Sequence, residues 1–180
     1  SGNAITSSPY VFSVQLVHSY SLYAGWNLLT LPVAGGYTAE SLGQNISGCT
    51  VVCQFDGDSQ SYVTHVVGIP YNDFPIEPGM GYFIYIPSNT TTTVTGYLLG
   101  AIDLPIYNGW DLIGWFQGTN TDANTLGQTI EGTTVVCWFD AQTQTYTTHV
   151  VSILYANFVI ERGMGLFIYT LADSNWDGDA

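Results

Sequence analysis

Thr50-Val-Val-Cys-Gln-Phe-Asp56 returns almost unchanged as Thr134-Val-Val-Cys-Trp-Phe-Asp140, and that return decides the fold. Outside this stretch, Trp26 and Trp110, His65 and His149, and Gly79 and Gly163 keep the same separation of 84 residues. No gap is needed anywhere. Tyr20-Ser-Leu-Tyr-Ala-Gly-Trp-Asn-Leu-Leu29 lies over Leu104-Pro-Ile-Tyr-Asn-Gly-Trp-Asp-Leu-Ile113. Ile76-Glu-Pro-Gly-Met-Gly-Tyr-Phe-Ile-Tyr85 lies over Ile160-Glu-Arg-Gly-Met-Gly-Leu-Phe-Ile-Tyr169. A fixed period over this length marks a copied structural unit.

Alternating apolar residues predict strands at 10–17, 20–23, 26–31, 50–55, 61–67 and 81–86, with counterparts in the second copy. His18 and Ser19 are expected to interrupt the first two. Ala24-Gly25 and Asn108-Gly109 carry a hairpin signal. Thr38 and Asp122 stand where helix caps stand, ahead of Ala39, Leu42 and Ile46 and of their equivalents. Each unit therefore carries one short helix, which Gly43 and Gly127 weaken. The predicted fold class is mainly β: two tandem antiparallel sandwich or half-barrel units with one short helix each. The expected divisions are an extension with a donor-type strand at 1–19, a first repeat at 20–103 and a second at 104–180.

Beyond Tyr85 the first unit continues through Pro87-Ser-Asn-Thr90 into a return strand, Thr91 to Leu99. The second unit has only Thr170 to Ala180 at that place, so its final strand is expected to be missing. The sequence that aligns with Thr93 to Ala101 at the same shift is Pro9 to Val17, at the opposite terminus. One strand is spare and one is absent.

The formal charge of −13 comes from a near absence of bases: one Arg, no Lys, and charged residues only 8% of the chain. Phosphate neutralisation needs Lys and Arg, so nucleic acid is excluded as a partner, and anionic membranes with it. No run is long and apolar enough to span a bilayer, so no membrane insertion is expected. The Ser-Gly-Asn-Ala start reads as a processed end. Asn45-Ile-Ser47 and Asn89-Thr-Thr91 make Asn45 and Asn89 glycosylation candidates, weak ones in a chain rich in Ser and Thr. Cys49, Cys53 and Cys137 are the disulfide candidates, and three cysteines allow at most one intramolecular bridge. The plainer reading makes Cys53 and Cys137 small core residues.

His65 and His149 recur without a second metal ligand at useful spacing and read as structural. Glu77 and Glu161, beside Gly-x-Gly, read as turn-fixing carboxylates that accept backbone N–H bonds. No nucleophile elbow is present, and the chain is expected not to be an enzyme. Trp26 and Trp110 are assigned to cores, and Trp115, Trp138 and Trp176 to an interface. Asp173-Ser-Asn-Trp-Asp-Gly178 matches the opening of a calcium loop, with Asp173, Asn175 and Asp177 as ligands. The closing bidentate Glu is lacking, so a solvated acidic tail is preferred, unless a neighbouring chain supplies the rest. Calcium is the one cofactor suggested.

Gly25-Trp-Asn-Leu28 with Gly109-Trp-Asp-Leu112, and Glu77 to Tyr85 with Glu161 to Tyr169, resemble a tandem β repeat of secreted and surface proteins of bacteria and archaea. The resemblance covers nearly everything after residue 19 and departs at Arg162, where that family favours proline. It implies a surface building block, and no activity. Together with the spare strand it sets the functional expectation: an extracellular, pilus-like filament of identical subunits joined head to tail. Tyr10, Val11, Phe12, Val14, Leu16 and Val17 would form the donated strand. The alternatives are a monomeric surface or adhesive module, or a carbohydrate-binding one.

Overall fold

The computed structural model describes residues 14–180. Strand β1 (Leu16–Leu22) pairs antiparallel with β6 (Thr90–Gly96) as a two-stranded ribbon. Between them in sequence come β2 (Gly25–Leu29), α1 (Ala39–Asn45), β3 (Val51–Asp56), β4 (Ser61–Val66) and β5 (Tyr82–Ile86). The four strands form an antiparallel sheet in the order β2-β5-β3-β4. The second unit repeats this with β7 (Leu104–Ile106), β8 (Gly109–Gly114), β9 (Thr121–Asp122), α2 (Ala123–Thr129), β10 (Thr133–Asp140), β11 (Thr145–Val150), β12 (Val159–Ile160), β13 (Gly165–Thr170) and β14 (Ser174–Trp176). Its sheet runs β8-β13-β10-β11, and β7 pairs with β14. The fold is mainly β and sandwich-like, as the residue alternation implies.

Two expectations about strands need correcting. His18 and Ser19 do not interrupt β1: they sit opposite Val94 and Thr93 in an unbroken ladder. The second unit does not lack its final strand either. β14 occupies the position equivalent to the first three residues of β6 and pairs Ser174 with Ile106 and Trp176 with Leu104. It is short because the ladder stops there, whereas β1 and β6 stay paired out to Leu16 and Gly96. Trp176 fills what the missing residues would cover. It is 2% exposed, stacked 6.4 Å from Trp115, and its indole N–H donates to the Asp179 carbonyl.

The glycine corners are not hairpins. β1 and β2 belong to different sheets, as do β7 and β8, so Ala24-Gly25 and Asn108-Gly109 turn the chain from ribbon to sheet. In the first unit the corner is tied by Asn27, whose Oδ1 accepts from Tyr23 N–H while its Nδ2 donates to the Tyr23 carbonyl.

Each four-stranded sheet packs part of both faces against other elements. In β3, Val52 points into an outer core with Leu42, Ile46, Tyr82, Ile84 and Val94, beneath α1 and the ribbon. Cys53 and Phe55 lie in a central core shared between the units, with Leu28 and Phe83 from the first and Leu112, Cys137, Phe139 and Phe167 from the second. Period-two alternation thus serves two cores at once. The central core is pseudo-two-fold: Phe55 packs on Phe167 at 5.4 Å and Phe83 on Phe139 at 5.5 Å, both edge to face. Phe83 also meets its own counterpart Phe167 at 6.0 Å, close to the axis. Edge-to-face pairs contribute about 0.5–1.5 kcal/mol each beyond their buried area.

The backbones of the two units also join. Thr30 N–H donates to the Gly163 carbonyl at 3.0 Å, and Gly114 N–H to the Gly79 carbonyl at 2.7 Å, equivalent bonds in opposite directions. Gln60 and Gln144 make the other reciprocal link. Trp110 N–H donates to Gln60 Oε1 and Gln60 Nε2 to the Trp110 carbonyl, each at 2.9 Å, and Gln144 does the same with Trp26. These amides occupy the space that a Cβ at Gly109 or Gly25 would need, 2.7 and 2.6 Å away.

Candidate functional site

His65 lies fully buried in β4, Nε2 2.7 Å from Glu40 Oε2 and Nδ1 3.0 Å from the Tyr71 carbonyl. Burial disfavours its cation. The hydrogen bonds that its ring donates to Glu40 and to the Tyr71 carbonyl, with the charges of Asp73 and Glu40, outweigh that and raise its pKa. Glu40 is held below its usual range, chiefly by the Gly68 N–H and then by His65. The second unit places Asn124 and Asn157 where the first has Glu40 and Asp73, and His149 Nε2 lies 3.4 Å from Asn124 Oδ1. A geometry kept while the charges are exchanged for amides is a structural brace that ties helix to sheet. In both copies the helix-borne side chain also accepts the loop N–H, of Gly68 or Ser152.

Glu77 and Glu161 fix their turns, but not through the carboxylates. The backbone carbonyls do it, accepting from Met80 and Met164 N–H, with Gly79 and Gly163 at φ +79 and +94. That is the glycine position of a type II turn, so Pro78 and Arg162 share the position that tolerates proline. Arg162 uses its freedom to donate from Nη2 to the Pro32 carbonyl of the other unit at 2.8 Å.

Cys49, Cys53 and Cys137 are free thiols, so no disulfide forms among them. Cys49 lies in the outer core and Cys53 on the opposite face of its sheet. Cys53 and Cys137 each sit 3.3 Å from a threonine hydroxyl, Thr64 and Thr148. Burial pushes all three thiols up, Cys49 to about 11.

Each calcium candidate has a hydrogen-bond partner within the fold. Asp173 Oδ1 accepts from Asn108 N–H, as the equivalent Asn89 accepts from Ala24 N–H. Asn175 Nδ2 donates to Asp103, and Asp177 Oδ1 accepts from Asp179 N–H. No group of three metal-ligating side chains occurs among the described residues. Of the glycosylation candidates, Asn45 uses its Nδ2 to donate to the Thr93 carbonyl at 2.8 Å. Asn89 is exposed, and its described bond is to Oδ1 alone. Tyr10, Val11 and Phe12 lie outside the described residues. Val14 is 71% exposed, while Leu16 and Val17 pair with Gly96 and Thr95 of their own chain and are not free to be donated.

The tryptophans exchange the roles expected of them. Trp115 and Trp176 are buried in the second outer core and Trp138 packs against it, whereas Trp110 is 37% exposed and Trp26 partly so. The facing sheets leave part of their inner faces uncovered: Tyr62, Val66 and Tyr85 of one and Tyr146 and Val150 of the other are exposed. There Trp26 pairs across to Tyr85, Tyr85 to Val51 and Val51 to Val66. The result is two related aromatic troughs. One, of about 520 Å³, is lined by Trp26, Cys53, Tyr62 and Phe83 with Phe139 and Tyr146 of the second unit. Its twin, of about 370 Å³, is lined by Trp110, Cys137, Tyr146 and Phe167 with Phe55 and Tyr62 of the first. They share Tyr62 and Tyr146, so they adjoin. Sequence reasoning missed them because rings from both copies line each one. The signal that could have found them is that the rings sit on residues alternating with those of the outer core. The chain matches no protein-family model, no curated protein and no solved structure.

Proposed function

We propose that this chain is a non-catalytic structural subunit of an extracellular filament, joined head to tail through its N-terminal segment. The observation that carries the reading is the inequality of the two ribbons. The first unit's ladder is seven residues long, while the second unit's stops at three and leaves Gly100 to Asp103, the positions equivalent to Leu16 to Ser19, unpaired. A strand added at that edge by β-augmentation would gain main-chain hydrogen bonds. The segment that would do so precedes Leu16, where Tyr10, Val11, Phe12 and Val14 supply apolar side chains. Each large side chain buried adds roughly 1.5–3 kcal/mol before ordering costs. Such a contact is heterologous and propagates into fibres.

An exterior setting is supported by a surface with few charged side chains and by thiols that burial keeps protonated, since a thiol without thiolate character is inert in an oxidising medium. The reading of His65 and Glu40 as a brace between helix and sheet supports a non-catalytic role. The monomeric surface module stays as a second reading, favoured by β1 itself, which already pairs within its own chain.

Electron microscopy of the full chain beside a variant lacking residues 1–13, which keeps β1 intact, tests the proposal. Fibres from the full chain and dispersed monomers from the variant are expected. Identical fibres from both, or none from the full chain at concentrations where surface polymers assemble, would end it.

A further inference from the structure

We infer that the paired aromatic troughs bind a neutral saccharide chain, whether or not the protein polymerises. The argument starts from what is left exposed. Tyr62 and Tyr146 are 52% and 51% exposed, Tyr85 and Trp110 each 37%, and Val66 and Val150 nearly half, all on sheet faces that elsewhere are core. Contiguous exposure of this kind on a compact fold marks a contact surface. The cavity volumes fall within the range of small-molecule sites, roughly 300–1,000 Å³.

The chemistry of the lining selects the ligand. In a chain of net charge −13, neither trough is lined by a carboxylate or a base, so no ion of either sign is recognised there. Rings dominate over aliphatic side chains, and Trp26 with Tyr85, and Trp110 with Tyr169, form edge-to-face pairs at 5.2 and 5.1 Å that fix the ring orientations. Fixed rings suit a flat ligand that stacks. Burial raises both shared tyrosines, Tyr146 to about 12, and among the described residues neither hydroxyl has a hydrogen-bond partner, so each O–H is available to a ligand. A pyranose with equatorial hydroxyls matches both demands: its ring faces are C–H surfaces that stack on aromatics, and its rim hydroxyls take the phenol groups. Because the troughs adjoin at Tyr62 and Tyr146, a linear chain of such sugars can occupy both. A purely apolar ligand such as an acyl chain would leave the two phenols without partners in a dry contact, which costs free energy.

The test uses the full chain titrated with cellohexaose and chitohexaose, followed by tryptophan fluorescence and calorimetry. Saturable binding is expected, insensitive to salt, and weakened by about tenfold or more in the Trp26→Ala, Trp110→Ala double variant, a loss of about 1.4 kcal/mol. Trp26→Phe, which retains a stacking ring, should recover part of the affinity, and thermal unfolding of each variant separates lost binding from lost fold. Tyr62→Val, at a side chain half in solvent, gives a second variant that keeps the core. No saturable response to either hexasaccharide would overturn the inference. So would binding indifferent to changes in both troughs, or self-association of the chain that the same double variant abolishes, which would assign the surface to a second copy.

Discussion

Asn27 and Asp111 are the same residue in the two copies, and one atom separates their behaviour. Asn27 donates to the Tyr23 carbonyl, but an ionised Asp111 cannot donate at all, and in its unit the hydroxyl of Thr170 serves the Tyr107 carbonyl instead, at 2.6 Å. Burial, opposed by the Tyr107 N–H and aided by the charge of Asp173, raises the Asp111 pKa to about 6. A carboxyl raised in the folded state contributes stability when protonated, below its unfolded pKa, and loses it as pH rises through about 6. Asp111→Asn should therefore stabilise the protein by about 1–3 kcal/mol at pH 8, and the gain should shrink steadily below pH 6. Thermal unfolding across that range checks it. The identity of the pair is legible in the duplication; its opposite energetics depend on Thr170, which replaces Ile86 and comes near only in the fold.

At the scale of elements, α1 and α2 rest on a contact that helix propensity misjudges. A Cβ at Gly43 would lie 2.4 Å from Cγ2 of Val67, and one at Gly127 2.4 Å from Cγ2 of Val151. Ala ordinarily gains about 1 kcal/mol over Gly inside a helix, but here overpacking of about 1–3 kcal/mol opposes it. Gly43→Ala is expected to lower the stability measured by denaturant unfolding, and Gly43→Ala with Val67→Ala to recover part of the loss; a stabilised single variant would show that the helix can lift off its sheet. The sequence located both helices and their caps, Thr38 accepting from Ser41 N–H and Asp122 from Thr125 N–H. It also implied that the glycine-weakened helices rely on packing, but did not identify the partner, which lies 24 residues downstream. It misread Gly25 and Gly109 as hairpin turns for a similar reason: the amides that require glycine there come from Gln144 and Gln60.

For the whole molecule, the duplication is an intramolecular dimer. The first unit alone would expose Leu28, Cys53, Phe55 and Phe83 to water, the same surface that the second unit covers with its equivalents. A fragment of residues 14–103 is expected to dimerise through that face, with Gln60 of each copy reaching the backbone of Trp26 in the other. Light scattering on the fragment gives its mass, and Phe83→Asp should prevent the association. A well-folded monomer at all concentrations would mean that the central core is dispensable.

What the sequence determined by itself is what repeats locally: strand alternation, helix caps and the shift of 84 that makes two units. Each of these is set by residues within a few positions of one another, where backbone geometry leaves few choices. Only the tertiary structure decided how the units face each other, which tryptophans are covered, that Trp176 closes the second outer core and that Tyr62 and Tyr146 line the same two troughs. Those outcomes depend on side chains brought together from distant positions around a pseudo-two-fold axis: local alternation assigns a ring to the inner face of its sheet, but not to the covered or the uncovered part of that face.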